Sequence, residues 1–544
     1  MIARPAIEGL ADACRDWAIA LTRIPSVNGT KDEALFAQRL LNRIAARPAL
    51  AAEKRWLIPV EGDPLGRSVV ALLVRGKGER TVILTGHYDT VPIDDYGPLK
   101  HLALEPEHLK SAMLERLRKS AASEAEQRAL TDLESGDFLP GRGLLDMKAG
   151  LAAGLTVCEA FAAMPERPGN LLFLAVPDEE ATSVGARQLA RSLGPLAREH
   201  GLDPVAAINL DSIADDGDGS AGRAVTLGSI GKLLLTAFVV GRPAHACYPF
   251  AGVNAGALAG AIAAEVEWST ALADLAPGSP GMPPTLLSLK DSKLHYDVTT
   301  PAHVWATWNM LYFRREPREL LDTFTDLCRR AVATVTERLA TRAHLRGMAS
   351  ATPEVDVIDF ETLVERARAA DPSLDAVIAE TSASAIRAGH NLPEQCRLVT
   401  DAVWRRSGLG GPLVVTGFGS LPYLPVALGT SAAALRLAAA VSRARAAIDA
   451  DCIAETAVFP GISDMSFLGE ADLATVPAIA GNTPTWGHGI AWPEQGAIAG
   501  VPAVNAGPWG RDYHTPLERM HTGYAFDVLP CFLAELTGAL ITDE

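Results

Sequence analysis

Leu171 to Glu180 reads LLFLAVPDEE, an unbroken apolar run that meets a proline and then three consecutive acids. Four to eight apolar residues bounded by turn formers predict a strand buried on both faces, as at the centre of a parallel sheet. In open α/β sheets function gathers beyond the carboxyl ends of the strands, which is where Asp178, Glu179 and Glu180 fall. Neighbouring carboxylates repel one another unless something positive lies beside them, and a metal ion is the usual answer. Taken alone, such a triplet is more often a solvated acidic loop. The rest of the chain has to decide.

Working outward, strands are expected at 68–74 and 81–85, the second ending in Gly-His-Tyr-Asp-Thr-Val-Pro (86–92). Helical spacing marks 7–22 and 31–46, with a turn at 25–29 between them. Residues 94–140 are charged, hold a helix near 107–119, and read as an insertion lying over a strand end. The sequence Gly-Arg-Gly-Leu-Leu-Asp-Met-Lys-Ala-Gly (141–150) then runs into an Ala/Leu helix. Beyond the opening stretch come a helix at 186–193 and a strand at 205–210 that ends at Asp211. Strands alternating with helices predict a doubly wound α/β domain.

The Gly/Asp-rich stretch 215–222 marks a boundary. Strand 233–240, helix 253–268, strands 285–290 and 303–313, helix 317–339 and a short strand 354–358 follow in β-α-β-β-α-β order, that of a ferredoxin-like sandwich. After about residue 360 the α/β pattern resumes, with a strand at 412–416, a helix at 432–449, a strand near 455–459, a glycine-rich loop at 505–514 and a last helix. The expected organisation is one catalytic domain (1–222 and 361–544) interrupted by a smaller domain (223–360).

Composition limits the function. At 544 residues the chain exceeds the size at which single cores stop growing, about 250–300 residues. A formal net charge of -16 argues against a nucleic-acid partner, whose phosphates call for clustered Lys and Arg. Seven scattered cysteines without a CxxC pair fit reduced thiols and a cytoplasmic setting. No apolar signal core and no apolar run of about 18 residues are apparent, so no membrane is expected.

His87, Asp89, Asp146, Glu179, Glu180, Asp211 and His514 each fall at or just past a predicted strand or loop of one sheet. Singly each has a bland alternative, such as a structural histidine or a helix cap. As a set of imidazoles and carboxylates they suit a borderline divalent ion such as zinc. Two ions sharing a carboxylate would stand about 3.5–4 Å apart.

These motifs, with Asn-Leu-Asp-Ser (209–212) and Tyr-His-Thr-Pro-Leu-Glu-Arg (513–519), resemble the aminoacylase / glutamate carboxypeptidase / succinyl-diaminopimelate desuccinylase family of dizinc hydrolases. The length, the long segment after the first motif and Asp94-Asp95-Tyr96-Gly97 look most like its arginine-utilisation branch. The resemblance implies a zinc-peptidase catalytic domain with a ferredoxin-like lid. It implies two divalent ions, zinc first and cobalt or manganese as alternatives. By the same match Asp146 would bridge both ions, His87 and Asp211 would complete one site, and Glu180 and His514 the other. Asp89 would hold His87 through its other ring nitrogen. Glu179 would be general base to a metal-bridging water.

In the lid, Gly241-Arg242-Pro243-Ala244-His245 and Gly252-Val253-Asn254-Ala255 resemble the family's lid motif, which makes His245 an oxyanion donor and Asn254 a substrate contact. In many relatives that histidine comes from a partner subunit, so a homodimer through the lid is implied. Arg314 falls where the family keeps an arginine for the substrate carboxylate, although a plain surface cation is nearly as good a reading. Ser463-Asp464 resembles the substrate-side loop of desuccinylases. The implied activity is hydrolysis of an amide in a peptide or N-acyl amino acid, in arginine metabolism if the branch holds, with Asp94 or Asp95 meeting a basic side chain. The alternatives are a deacylase or carbamoyl hydrolase of a small amide, and a non-catalytic metal-stabilised binding protein. For both Glu179 and Glu180 to serve one site, the chain must leave β geometry directly after Pro177, since strand neighbours point to opposite faces.

Overall fold

The computed structural model describes residues 9–274, 281–348, 352–459, 461–492 and 500–542. The chain divides into two compact units, one comprising 1–229, 426–471 and 493–544, the other 230–425 and 472–492.

In the first unit the opening stretch forms the strand Asn170–Val176, buried along its whole length. Leu171, Phe173 and Ala175 enter one core and Leu172, Leu174 and Val176 another, so both faces are covered and the apolar run has no polar gaps. The strand pairs in parallel with Arg80–His87, which pairs in parallel with Asp203–Asn209. The full sheet runs Lys54–Pro59, Ser68–Val74, Asn170–Val176, Arg80–His87, Asp203–Asn209, Ala503–Asn505, Ala224–Thr226, Ala454–Thr456. Its two outer strands on the Lys54–Pro59 side are antiparallel to what they pair with. Lys54–Pro59 has no apolar periodicity and went unanticipated.

Register places the chemistry. His87 pairs with Val176, and Thr85 with Asn209, so His87, the acids after Pro177 and Asp211 leave the sheet at one level of its carboxyl edge. A smaller sheet orders Phe138–Pro140, Arg519–His521, Trp509–Arg511 and Ile213–Ala214. Residues 523–542 are long and apolar enough to cross a membrane, contrary to the expectation of no such run. Here Leu529, Phe532, Leu533, Leu536 and Leu540 are buried in the core of this unit, which accounts for the apolarity without a bilayer.

The second unit contains the expected strands Gly231–Val240, Thr285–Asp291 and His303–Tyr312 and the helices Ala255–Val266 and Pro317–His344. Its sheet has five strands, in the order Thr285–Asp291, His303–Tyr312, Gly231–Val240, Leu413–Phe418, Asp356–Asp359. The expected boundaries at 222 and 360 therefore shift. Ala224–Thr226 belongs to the large sheet of the first unit, and Leu413–Phe418, expected in the catalytic domain, pairs antiparallel with Gly231–Val240. It takes the place beside the first strand that the closing strand of a plain βαββαβ sandwich would hold, and Asp356–Asp359 moves to the edge. The helices Phe360–Ala370 and Leu392–Arg406 give Phe360, Leu363, Cys396, Val399 and Val403 to a core with Phe238, Val240, Trp305 and Val415. The helices of 360–406 are thus a layer on this sheet, and Leu413–Phe418 is one of its strands.

Gly150 opens the helix Ala149–Ala162 against the end of the Asp203–Asn209 strand, where an added Cβ would lie 2.0 Å from the Leu210 carbonyl oxygen. Gly150→Ala is expected to destabilise the fold by about 1–3 kcal/mol through overpacking, read as a lowered denaturation midpoint in urea. An unchanged midpoint would contradict that contact.

Candidate metal centre

The chain does leave β geometry where required. The strand ends at Val176, and Asp178 has φ 70°, in the left-handed region. Asp178 is not a ligand candidate but the peg of the turn. Its carboxylate accepts from Thr182 N at 3.2 Å, Thr182 Oγ1 at 2.5 Å and Val184 N at 3.3 Å. The buried Arg67 donates to it at 2.5 Å and Asn28 at 3.2 Å. This turn puts Glu179 and Glu180 on the same side of the sheet edge.

Asp89 completes the positioning. Its carboxylate accepts the backbone N–H of Glu179 at 3.1 Å, that of Glu180 at 3.2 Å and the Asn28 amide at 2.9 Å. Burial would raise the Asp89 carboxyl, but His87, Asn28 and the Glu179 N–H hold it below the usual range. The expected link to His87 takes a different form. His87 Nδ1 lies 3.1 Å from the Asp89 carbonyl oxygen and 3.6 Å from its carboxylate. A ring N–H donated to that carbonyl leaves Nε2 for the site.

His87 Nε2 lies 3.1 Å from Asp146 Oδ1 and 3.7 Å from Asp211 Oδ1. His514 Nε2 lies 3.0 Å from Asp146 Oδ2 and 3.1 Å from Glu180 Oε1. Asp146 thus has one oxygen toward each imidazole. Single ligand atoms of His87, Asp146 and Glu180 lie within 4.8 Å of one another. This donor set, nitrogen and oxygen with one carboxylate between two groups, fits a pair of borderline divalent ions.

The protonation pattern is that of a site built for positive charge. Burial raises Glu179 well above the ordinary carboxyl range, and Asp211, Asp464 and Glu180 push it further. No hydrogen bond to its carboxylate occurs among the described residues. Burial and then Asp146 raise Glu180, and burial raises Asp211. Burial alone would lower His514, yet Asp146 and Glu180 hold it up at about 10, and Asp146 and Asp211 likewise raise His87. Asp464 belongs to the same cluster. It is buried, its carboxyl is raised to about 7 by burial with Asp211 and Asp89 adding, and neither oxygen has a well-formed hydrogen bond among the described residues.

Of the remaining anticipated residues, His245, Asn254 and Arg314 lie in the second unit. His245 is exposed, bridges to Thr299 in β fashion, and accepts the Cys247 N–H on Nδ1 at 3.1 Å. Asn254 caps the helix Ala255–Val266 through Oδ1, which accepts from Gly256 N at 2.8 Å. Arg314 has an exposed side chain, and its backbone N–H donates to Asp274. Asp94 and Asp95 each have a cationic partner. Asp94 pairs with Lys100 at 2.6 Å and Asp95 with the buried Arg142 at 2.7 Å. Glu518, quoted within a motif but given no task, accepts from Arg142 at 2.6 Å, Gly143 N at 3.1 Å and His514 N at 3.3 Å. It ties the loop of Asp146 to the loop of His514.

Fold and site together define a metal-dependent hydrolase of the two-domain peptidase class. Residues 123–491 match the peptidase family M20/M25/M40, and the chain belongs to that family. It is 31% identical over 536 residues to the uncharacterised protein YqjN of Bacillus subtilis, covering 96% of this chain and 95% of that one. It is 28% identical over 543 residues to protein RocB of the same organism, covering 96% and 94%. Dug1p, a di-peptidase from Saccharomyces cerevisiae, shares the fold with a TM-score of 0.52 at 11% identity, covering 99% of this chain and 100% of its own. A tripeptidase from Staphylococcus aureus does so with a TM-score of 0.51 at 15% identity, covering 98% of each chain. The protein is a hydrolytic enzyme of a family whose peptidases bind two metal ions.

Histidine binds metal as the neutral imidazole, so if His87 and His514 hold the ions, binding expels the protons that the neighbouring carboxylates favour on them. At pH 7 a Zn2+ titration in buffers of different ionisation enthalpy is expected to release more than one proton per chain. The release should shrink as pH rises toward about 10, where His514 loses its proton unaided. Proton-neutral binding at pH 7 would contradict the ion-paired site.

Proposed function

We propose that the protein hydrolyses the amide bond of a peptide or N-acyl amino acid, with Glu179 as general base and Zn2+ as the physiological ion. His87, Asp211 and Asp146 would hold one ion, and Asp146, Glu180 and His514 the other. When bound, such ions lower the pKa of water toward about 7 and polarise the scissile carbonyl. Glu179 takes the proton of the attacking water and returns it to the leaving amine. The observation that carries this reading is Glu179 itself. Beside the ligand cluster its carboxylate has no hydrogen bond among the described residues, and it follows directly on the turn that also carries Glu180, while burial raises its pKa above the ordinary carboxyl range.

His245 is assigned to the developing oxyanion, Arg314 to the substrate carboxylate, and Asn254 to a substrate contact through the amide nitrogen its cap leaves free. The resemblance to the arginine-utilisation branch supports a substrate from arginine metabolism. Asp464 is assigned to the substrate side of the pocket, and Asp94 or Asp95 to a basic side chain of the substrate. Seven free cysteines support a cytoplasmic setting. For assembly, the reading is a homodimer through the free edge of Thr285–Asp291, where Leu287 is 60% and Leu289 44% exposed and unpaired backbone groups invite strand addition.

Glu179→Gln is expected to cut kcat by about 10²–10⁴ while bound metal, measured by elemental analysis, stays unchanged. Undiminished hydrolysis would rule out the base, and inertness of the unaltered protein toward every amide in a panel would favour a binding protein. In the same panel, arginine-derived amides should exceed neutral ones in kcat/KM. Replacing Leu289 by Lys should shift the mass seen by light scattering from dimer to monomer; a monomer before the change would refute the edge contact.

A further inference from the structure

We infer that the inserted segment 94–140 is a brace that sets the position of His514, and that Asp132 is its principal positioning residue. His514 sits on the connection between two paired strands, Trp509–Arg511 and Arg519–His521. The outer partner of that pair is Phe138–Pro140, contributed by the insertion. The connection is held in an unfavourable form, since Asp512 has φ 52° and His514 φ 62°, the left-handed region that non-glycine residues avoid. Something outside the loop must keep it there.

The insertion supplies that something from the helix Glu124–Ser135. Asp132 is buried and accepts from Arg519 Nε at 2.8 Å and Nη2 at 2.6 Å, and from Arg511 Nη1 at 2.8 Å. The fully buried Arg519 passes the constraint on through Nη1, which donates to Asp512 at 2.6 Å. Arg128, one turn before Asp132, donates to the other Asp512 oxygen at 3.2 Å. The far end of the insertion acts through Asp95, which pairs with Arg142, and Arg142 with Glu518, the acceptor of the His514 N–H. A segment that merely decorated the surface would not send two ion-pair chains, each passing through a fully buried arginine, to the same loop.

The consequence is specific to the ion held by Glu180 and His514. Supports behind a ligand typically govern metal affinity by about 10–100-fold. The inference rests on His514 being a ligand, so the test separates the two claims. Zn2+ binding is followed by calorimetry on the full chain, with His514→Ala, Asp132→Asn and Glu134→Gln variants. Glu134 lies on the same helix and, among the described residues, pairs with the exposed Arg118, so its variant controls for the charge change. His514→Ala should lose one of two equivalents; retention of both would overturn the ligand assignment itself. Asp132→Asn should weaken one equivalent by about 10–100-fold and leave the other and Glu134→Gln within twofold. Saturating Zn2+ should restore most of its kcat, because the ligand remains. Equal weakening of both equivalents, or no weakening, would overturn the brace. Should Asp132→Asn fail to fold, Arg128→Gln removes only the Asp512 and Asp216 contacts and should weaken the same equivalent severalfold, with no change counting against the inference.

Discussion

Like-charge repulsion is the constraint on which this structure depends. Asp146, Glu179, Glu180, Asp211 and Asp464 are gathered at the carboxyl edge of one sheet, each raising or opposing the ionisation of another. Such a crowd survives in the folded chain because the surrounding acids are neutralised by donors. Asp89 receives two backbone N–H groups and an amide, while Asp178 is met by Arg67 and by the turn it caps. The remaining negative potential is left facing the imidazoles and the position of the ions. Parallel strand register is what makes this crowding repeatable, since it delivers three chain segments to one level.

The strand and the polar residues gathered at its end were legible in the sequence for a simple reason. Leu171–Val176 must fill two cores, so every position is apolar, and the polar residues start where the sheet stops. The turn after Pro177 was also legible, because strand alternation forbids Glu179 and Glu180 from sharing a face. Asp178 was less so. It reads as one more acid, and only spatial neighbours distant in sequence, Asn28 and Arg67, reveal it as a peg.

What stayed hidden is what depends on long-range pairing. The strand at 412–416 was visible, but periodicity says nothing of which sheet it joins, and it joins Gly231–Val240. The charged strand Lys54–Pro59 lies at the sheet edge, where no apolar alternation is required. Asp95 looked available because charge in a loop suggests solvent, whereas its partner Arg142 is buried in another segment. Glu518 stood within a recognised motif, and its link to Gly143 had no local signature.

The placement of Ala503–Asn505 has a bearing on the order of synthesis. That strand lies inside the large sheet, between Asp203–Asn209 and Ala224–Thr226, and His514 follows it. A ribosome therefore exposes the first half of the catalytic unit, acids included, long before the strand that closes the sheet has been made. The interrupting unit lies wholly upstream of that point and has its own core, so it is free to fold while the catalytic unit waits. If His514 holds an ion as proposed, that ion can be captured only among the last events of synthesis.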